Sequence, residues 1–313
     1  MLFGDRFPVV RAARGTAAVA AALLAVLGLA GCAVTDSAAP HEPAANESRL
    51  RELTTREEIL VDRAEQLLVK ACMERAGFRF WVTPVESADH RKGSGFVLDD
   101  VRWAREFGYG GQLRRDAEKA RRDGPNTTYV NALTPRERGR YRETLDGTPS
   151  KGMLSAALPG GGTVETPRES CQARAKDELY GDFETWFRAE KVATNLTPLY
   201  VPDLSADKRF TRALSAWSAC MERKGRSYAD PFEVREDLGR LTAGLSGTAA
   251  HGVEVDLAVD EAACARSSSL ADTARTLEDE YRARKTRRFS DDIATFRRMR
   301  LTASDRARDI ARR

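Results

Sequence analysis

The chain has 313 residues, with 51 Lys and Arg against 47 Asp and Glu and a formal net charge of +4. So small an excess excludes a whole-molecule nucleic-acid-binding surface, and no nucleic-acid partner is expected. Aromatic residues at 7% and charged residues at 31%, with long stretches free of Gly and Pro, favour helix over sheet.

The chain opens on a basic head, Arg6, Arg11 and Arg14, followed by the apolar run "TAAVAAALLAVLGL" from Thr16 to Leu29. That run is too short to span a bilayer comfortably and reads as the core of a signal peptide over residues 1–31. It ends in Leu29-Ala30-Gly31-Cys32, which resembles the lipobox of bacterial lipoproteins. The resemblance covers only this segment. It implies that Cys32 receives a diacylglycerol thioether and becomes the mature N-terminus, on the outer face of the cytoplasmic membrane. Residues 32–50, poor in large apolar side chains, read as a flexible tether with a typical span of roughly 23 Å.

The body begins with a helix capped by Thr54 or Thr55, each followed three residues later by a glutamate, Glu57 or Glu58. Leu60, Ala64, Leu67, Leu68, Ala71 and Cys72 form its apolar stripe, and Gly77 stops it. Its last turns carry Ala-Cys-Met-Glu-Arg-x-Gly at 71–77, and the same pattern returns 148 residues later at 219–225. This is an internal duplication, and it divides the body into a first helical unit, residues 51–200, and a second, residues 201–313. In the second copy Ser205 is the expected N-cap, Phe210, Leu214, Trp217 and Met221 the stripe, and Gly225 the terminator. The aromatic segments after each glycine, "FRFWVTP" and "RSYADP", either pair as a small sheet or cover the core.

Between the copies, a short helix is expected from Asp99 to Glu106, closed by Gly108-Tyr109-Gly110. Thr134, Pro135 and Glu137 open a further helix that Gly147 ends. The same tetrad, Thr166-Pro167-Arg168-Glu169, is expected to open the helix carrying Cys171, with Gly160-Gly161-Gly162 in a flexible loop before it. From Val253 onward there is no further Gly or Pro, so a long C-terminal helix is expected, broken or bent near 287–290, where Ser290 is a capping residue. Leu270, Ala274, Leu277 and Tyr281 make one stripe on it, and Ile293, Phe296, Ala303, Ala307 and Ile310 another.

With Cys32 lipidated, Cys72, Cys171, Cys220 and Cys264 remain, and an even count in an exported chain points to two disulfides. Cys72 and Cys220 are equivalent and each precedes one further cysteine, which favours Cys72 with Cys171 and Cys220 with Cys264. A bridge between the two equivalent cysteines is the alternative.

The chain holds little recognisable catalytic chemistry. Its three histidines, His41, His90 and His251, have no partner at metal-ligand spacing, and "GLSGT" at 244–248 lacks the strand-to-helix setting of a nucleophilic serine. Glu74 and Glu222 repeat with the motif but lie about 200° around the helix axis from their cysteines, which directs them to solvent or a neighbouring arginine. Phe80, Trp81, Trp103, Tyr109, Trp186 and Trp217 are expected in the core rather than in a ligand groove. Arg282, Arg284, Lys285, Arg287 and Arg288, with Arg297, Arg298 and Arg300 beyond them, form a basic segment suited to anionic lipid headgroups or wall polymers.

The expectation is therefore a mainly α protein of two related, disulfide-stapled helical units with little or no sheet. Its body is similar to actinobacterial lipoproteins with a repeated Cys-Met-x-x-x-Gly helix, a resemblance that implies no activity. The expected function is non-enzymatic: an anchored binding or scaffolding module of the envelope, with no cofactor or metal, meeting the membrane through its lipid and an envelope protein or anionic polymer through its body. A transporter's solute-binding lipoprotein, which calls for more strands, and a wall-active hydrolase are the alternatives.

Overall fold

Both copies of the repeated segment fold alike, and the computed structural model explains each of its residue types. The structure describes residues 50–312 apart from 86 and 94; the signal peptide, Cys32, His41 and the tether up to residue 49 lie outside the described residues. Helix α1 runs Thr55–Arg75 and its counterpart α10 runs Lys208–Arg223. Each ends in a Schellman turn: the Phe78 N–H donates to Met73 O and the Gly77 N–H to Glu74 O, and Arg226 and Gly225 donate in the same way to Met221 and Glu222. Gly77 and Gly225 take φ of 84° and 75°, the left-handed conformation that the turn requires and glycine adopts without penalty. Met73 and Met221 are fully buried on the carbonyl side of the turn, Glu74 and Glu222 are exposed, and the cysteine one position earlier is bridged.

Cys72 pairs with Cys171 and Cys220 with Cys264, over sequence separations of 99 and 44 residues. The first bridge joins the end of α1 to the start of α7 (Cys171–Tyr180). The second joins α10 to α12 (Gly247–Ser267) within their helical spans.

Thr54 rather than Thr55 caps α1, in a reciprocal box with Glu57. The stripe of α1 keeps Ala64 and Cys72 of the expected one, but Val61, Val69 and Met73 complete it in place of Leu60, Leu67, Leu68 and Ala71. Val61, Ala64, Val69, Cys72 and Met73 are buried, while Leu60 and Leu68 are only partly covered. The segment after Gly77 is not a strand. It covers the cluster around Met73 and Tyr141 with Phe78 and Phe80, and is held by Asn126, which accepts from the Trp81 N–H at 2.9 Å and donates to the Trp81 carbonyl at 2.7 Å.

After the short α2 (Ala88–Lys92), α3 (Val101–Phe107) is capped by Asp100 and closed at Gly108. Two helices with no counterpart in the sequence reading follow, α4 (Gly111–Asp123) and α5 (Pro125–Ala132). Helix α6 (Pro135–Asp146) has the expected Thr134–Glu137 box and ends at Gly147. The second Thr-Pro-Arg-Glu tetrad behaves differently. Thr166 and Pro167 end strand β2 (Thr163–Pro167), which pairs antiparallel with β1 (Met153–Ala157), and Ser170 is the residue that caps α7. The expected flexible loop is thus the connection of a hairpin, whose Leu154 and Ala156 face the core against α8 (Phe183–Ala193).

In the second half α9 (Val201–Ala206) ends on Ser205 and Ala206, so Asp207, not Ser205, caps α10. Helix α11 (Pro231–Leu241) precedes α12. The long C-terminal helix is three helices: α12, α13 (Leu270–Lys285) and α14 (Ser290–Ile310). Ser269, with φ of 58°, interrupts the first junction, and a 3-10 turn at Arg287–Phe289 the second. Ser290 is inside the last helix, with its hydroxyl on Asp291, and provides no cap.

Neither core is built from one half of the chain alone. The first gathers α1, the hairpin, α7 and α8 around Tyr180, Trp186 and Phe187, and closes with Ala303 and Ala307 of α14. The second gathers α10 to α13 around Trp217, Met221, Leu257 and Leu277, and takes in Leu98, Trp103 and Tyr109 from the first half. Each half thus lends a segment to the other. Among the described residues, no helix is long and apolar enough to cross a membrane.

Candidate functional site

The densest buried chemistry lies in the second core, on one face of α12. The apolar residues Leu257, Ala258, Ala262 and Ala265 fix which face of that helix is inside. Glu254 and Glu261, seven residues apart and so nearly superposed along the axis, fall on the same face. Both are buried, and Glu261 is fully so.

Glu261 accepts from the Tyr109 hydroxyl at 2.7 Å, from Arg235 at 3.1 Å and from the Leu98 N–H at 3.4 Å. Arg235, from α11, also donates to the Phe96 carbonyl at 3.1 Å and sits 5.7 Å from the Tyr109 ring centroid. Burial pushes the Glu261 carboxyl above its ordinary range, against the opposing pull of Arg235, the Tyr109 hydroxyl and the Leu98 N–H. Burial, with the nearby Glu261 charge, pushes Tyr109 strongly upward, so its phenol stays protonated and donates. Each Glu261 oxygen is already engaged by protein donors. The arrangement holds the 96–111 segment to α11 and α12.

Glu254 does a second holding task. Its Oε1 accepts from the Tyr109 N–H at 2.9 Å and the Gly111 N–H at 2.7 Å. It therefore caps the N-terminus of α4 from a helix 143 residues away, placing a carboxylate at the positive end of the helix dipole. Gly108 and Gly111 make room for it. A Cβ at Gly111 would lie 2.5 Å from Glu254 Oε2, and one at Gly108 2.7 Å from Glu254 Cγ. Gly111→Ala is accordingly expected to displace the carboxylate and destabilise the body by about 1–3 kcal/mol. Urea unfolding checks this, and an unchanged midpoint would show that the carboxylate has another place to go.

The residues singled out in the sequence are dispersed. Glu74 pairs with Lys70 at 2.9 Å on the surface, and Glu222 is exposed. Asp99 binds Arg275 at 2.7 Å, and Asp260 binds Lys224 and Arg226 at 3.0 and 3.2 Å. His90 packs edge-on to Phe107, and His251 Nδ1 is buried with no hydrogen-bond partner among the described residues. No cluster of His, Cys, Asp and Glu that could hold a metal ion occurs among the described residues. Trp103, Tyr109, Trp186 and Trp217 are buried in the cores; Trp81 is half-buried against Tyr129, and Phe80 packs beside the Cys72–Cys171 bridge. Ser246 caps α12, which accounts for the "GLSGT" stretch.

The basic segment is partly spent inside the fold. Lys285 pairs with Asp203, and Arg297 and Arg300 bind Glu52 and Glu58 at 2.7 Å, clasping α14 to the start of α1. Arg284 stacks on Tyr281 at 4.4 Å and Arg288 on Phe289 at 4.7 Å. Arg282 is half-buried, and Arg287 and Arg288 remain exposed at the turn between α13 and α14.

The sequence reading does not single out Glu254 or Glu261, because each is an ordinary acid in an acidic helical stretch. The phase of the apolar residues on α12 is the signal that places them inside. Comparison of the chain with protein-family models, with curated proteins and with solved structures finds no match.

Proposed function

We propose that the protein is a lipid-anchored, non-enzymatic binding or scaffolding module of the cell envelope, on the outer face of the cytoplasmic membrane. The observation that carries this reading is how cysteine is used. The four body cysteines are consumed in two disulfides, a state that persists in oxidising compartments. Of the five cysteines this leaves Cys32, at the end of Leu29-Ala30-Gly31-Cys32, for lipid attachment. Two acyl chains, at about 0.8 kcal/mol per buried methylene, suffice for stable anchoring. The exposed Arg287 and Arg288 support contact with an anionic surface or polymer near the membrane.

Two experiments test the proposal. Cys32→Ala is expected to move the protein from the membrane to the soluble fraction and abolish fatty-acid labelling; full membrane retention of the variant would refute the anchor. Affinity capture from cross-linked envelopes is expected to recover a partner protein or anionic polymer. Release of fragments from purified peptidoglycan by the protein would instead make it a hydrolase.

A further inference from the structure

A groove of 380 Å3 opens beside the Cys72–Cys171 bridge, where the end of α1, the middle of α6, the turn at Pro149–Lys151 and the start of α7 meet. That volume falls within the roughly 300–1,000 Å3 of small-ligand sites. Its floor is buried and covalently tied: Cys72, Cys171 and Ser170. Its rim is exposed and carries Arg75, Arg140, Lys151 and Arg174, one from each of the four segments.

None of these four cations has an ion pair within 4 Å among the described residues; Arg140 alone is otherwise engaged, 5.7 Å from the Phe78 ring centroid and near enough to Glu137 to help hold that carboxyl below its ordinary range. Glu143 and Glu169 also line the groove but pair with none of them, so four positive side chains face two carboxylates. Arg209, held by Asp207 and Glu280, and Arg300, held by Glu58, show the contrasting case of arginines neutralised by acids. Here sequence-distant cations gather around a rigid floor and are left for something else. Ser170 and Cys171 begin the ten-residue helix α7, so the positive end of its dipole adds to the side chains. Guanidinium forks match phosphate oxygens bidentately, and three of the four cations are arginine.

We propose that this groove binds a phosphate ester. The assignment deepens the binding-module reading by naming a ligand class, and it does not depend on the lipid anchor.

The test uses full-length protein in nonionic detergent, titrated calorimetrically with glycerol 3-phosphate at constant ionic strength. A second arm measures flotation of the full-length Cys32→Ala chain with phosphatidylglycerol vesicles against phosphatidylcholine vesicles. Saturable binding in roughly the millimolar range or tighter is expected. Arg75→Gln with Arg174→Gln should weaken it by about tenfold or more, as should Lys151→Glu on the exposed turn, where folding is not at stake. Arg223→Gln, at the exposed position equivalent to Arg75 in the second copy and outside the groove, should leave it unchanged. Groove-dependent binding of the soluble ester alone identifies a soluble phosphate; groove-dependent flotation identifies a lipid headgroup. Absence of saturable binding in both arms, or equal loss in the Arg223 variant, would overturn the site. Release of inorganic phosphate from glycerol 3-phosphate would overturn the non-enzymatic reading while leaving the site in place.

Discussion

Replacing Cys72 and Cys171 together with alanine is expected to lower the stability of the body by as much as about 4.7 kcal/mol, the loop-closure entropy of a cross-link spanning about 100 residues. Alanine is the right replacement because both cysteines are buried, and serine would bury two hydroxyls without partners. The bridge ties α1 to α7, and these helices share the smaller cluster of Val69, Met73, Phe78 and Tyr141. For a body of this size the loss corresponds to a fall in Tm of about 8–10 °C. The Cys220–Cys264 bridge closes 44 residues, and its double alanine variant should cost less, about 4 kcal/mol by the same relation. Scanning calorimetry of the two variants checks both the size and the order of the effects. A loss below about 1 kcal/mol for the longer loop would mean that the unfolded chain is already ordered in that region.

Glu261→Ala is expected to cost about 3–5 kcal/mol, because it strands the Arg235 guanidinium and the Tyr109 hydroxyl in the second core. It also opens a cavity in the second core, while the bond from the Trp217 indole N–H to the Glu261 main-chain carbonyl, 3.4 Å, is kept. The 96–111 segment should loosen first, since Leu98, Tyr109 and Arg235 all meet at this carboxylate. Hydrogen exchange of the Leu98 and Tyr109 amides reads this directly. The companion variant Glu261→Gln separates charge from shape. Burial raises the folded pKa of Glu261, so its titration contributes stability that is complete below the ordinary Glu value of about 4.3 and is lost as pH rises through the raised value. Relative to the glutamine variant, the wild type should therefore gain stability as pH falls through that window. A pH-independent difference between the two would show that Glu261 titrates alike in the folded and unfolded chain.

The repeated motif was legible because each of its residues has one task. Cysteine is bridged, methionine fills the core under the Schellman turn, glutamate and arginine are outside, and glycine takes positive φ. Where the signal was local the sequence also located helix starts: at Thr134, at Thr54 as one of the two threonines offered, and within two residues for the helix expected from Asp99, which begins at Val101. It failed where tertiary packing decided. "MLSAA" has the composition of a helix, yet alternate burial of Leu154 and Ala156 against α8 makes it a strand. That pairing reaches Pro167 and takes the second Thr-Pro-Arg-Glu tetrad out of helical use. Helix α4 is almost wholly polar, so no stripe announced it. Its N-terminus is satisfied by Glu254, which no local pattern could connect to it. The break at Ser269 was hidden for a related reason: no glycine or proline marks it. Of the basic segment, the sequence could not tell Arg287 and Arg288, left in solvent, from Arg297 and Arg300, which hold α14 to α1. The phosphate-ester groove was equally illegible, because its four cations come from positions 75, 140, 151 and 174 and only the fold assembles them.

Intact mass spectrometry of the protein extracted from its native membrane tests the central proposal most directly. The predicted species begins at Cys32, carries the mass of a diacylglycerol thioether on that residue, and gains on reduction only the four hydrogens that two disulfides take up. A chain that retains residues 1–31, or one that begins elsewhere without acyl mass, would contradict a lipid-anchored envelope module.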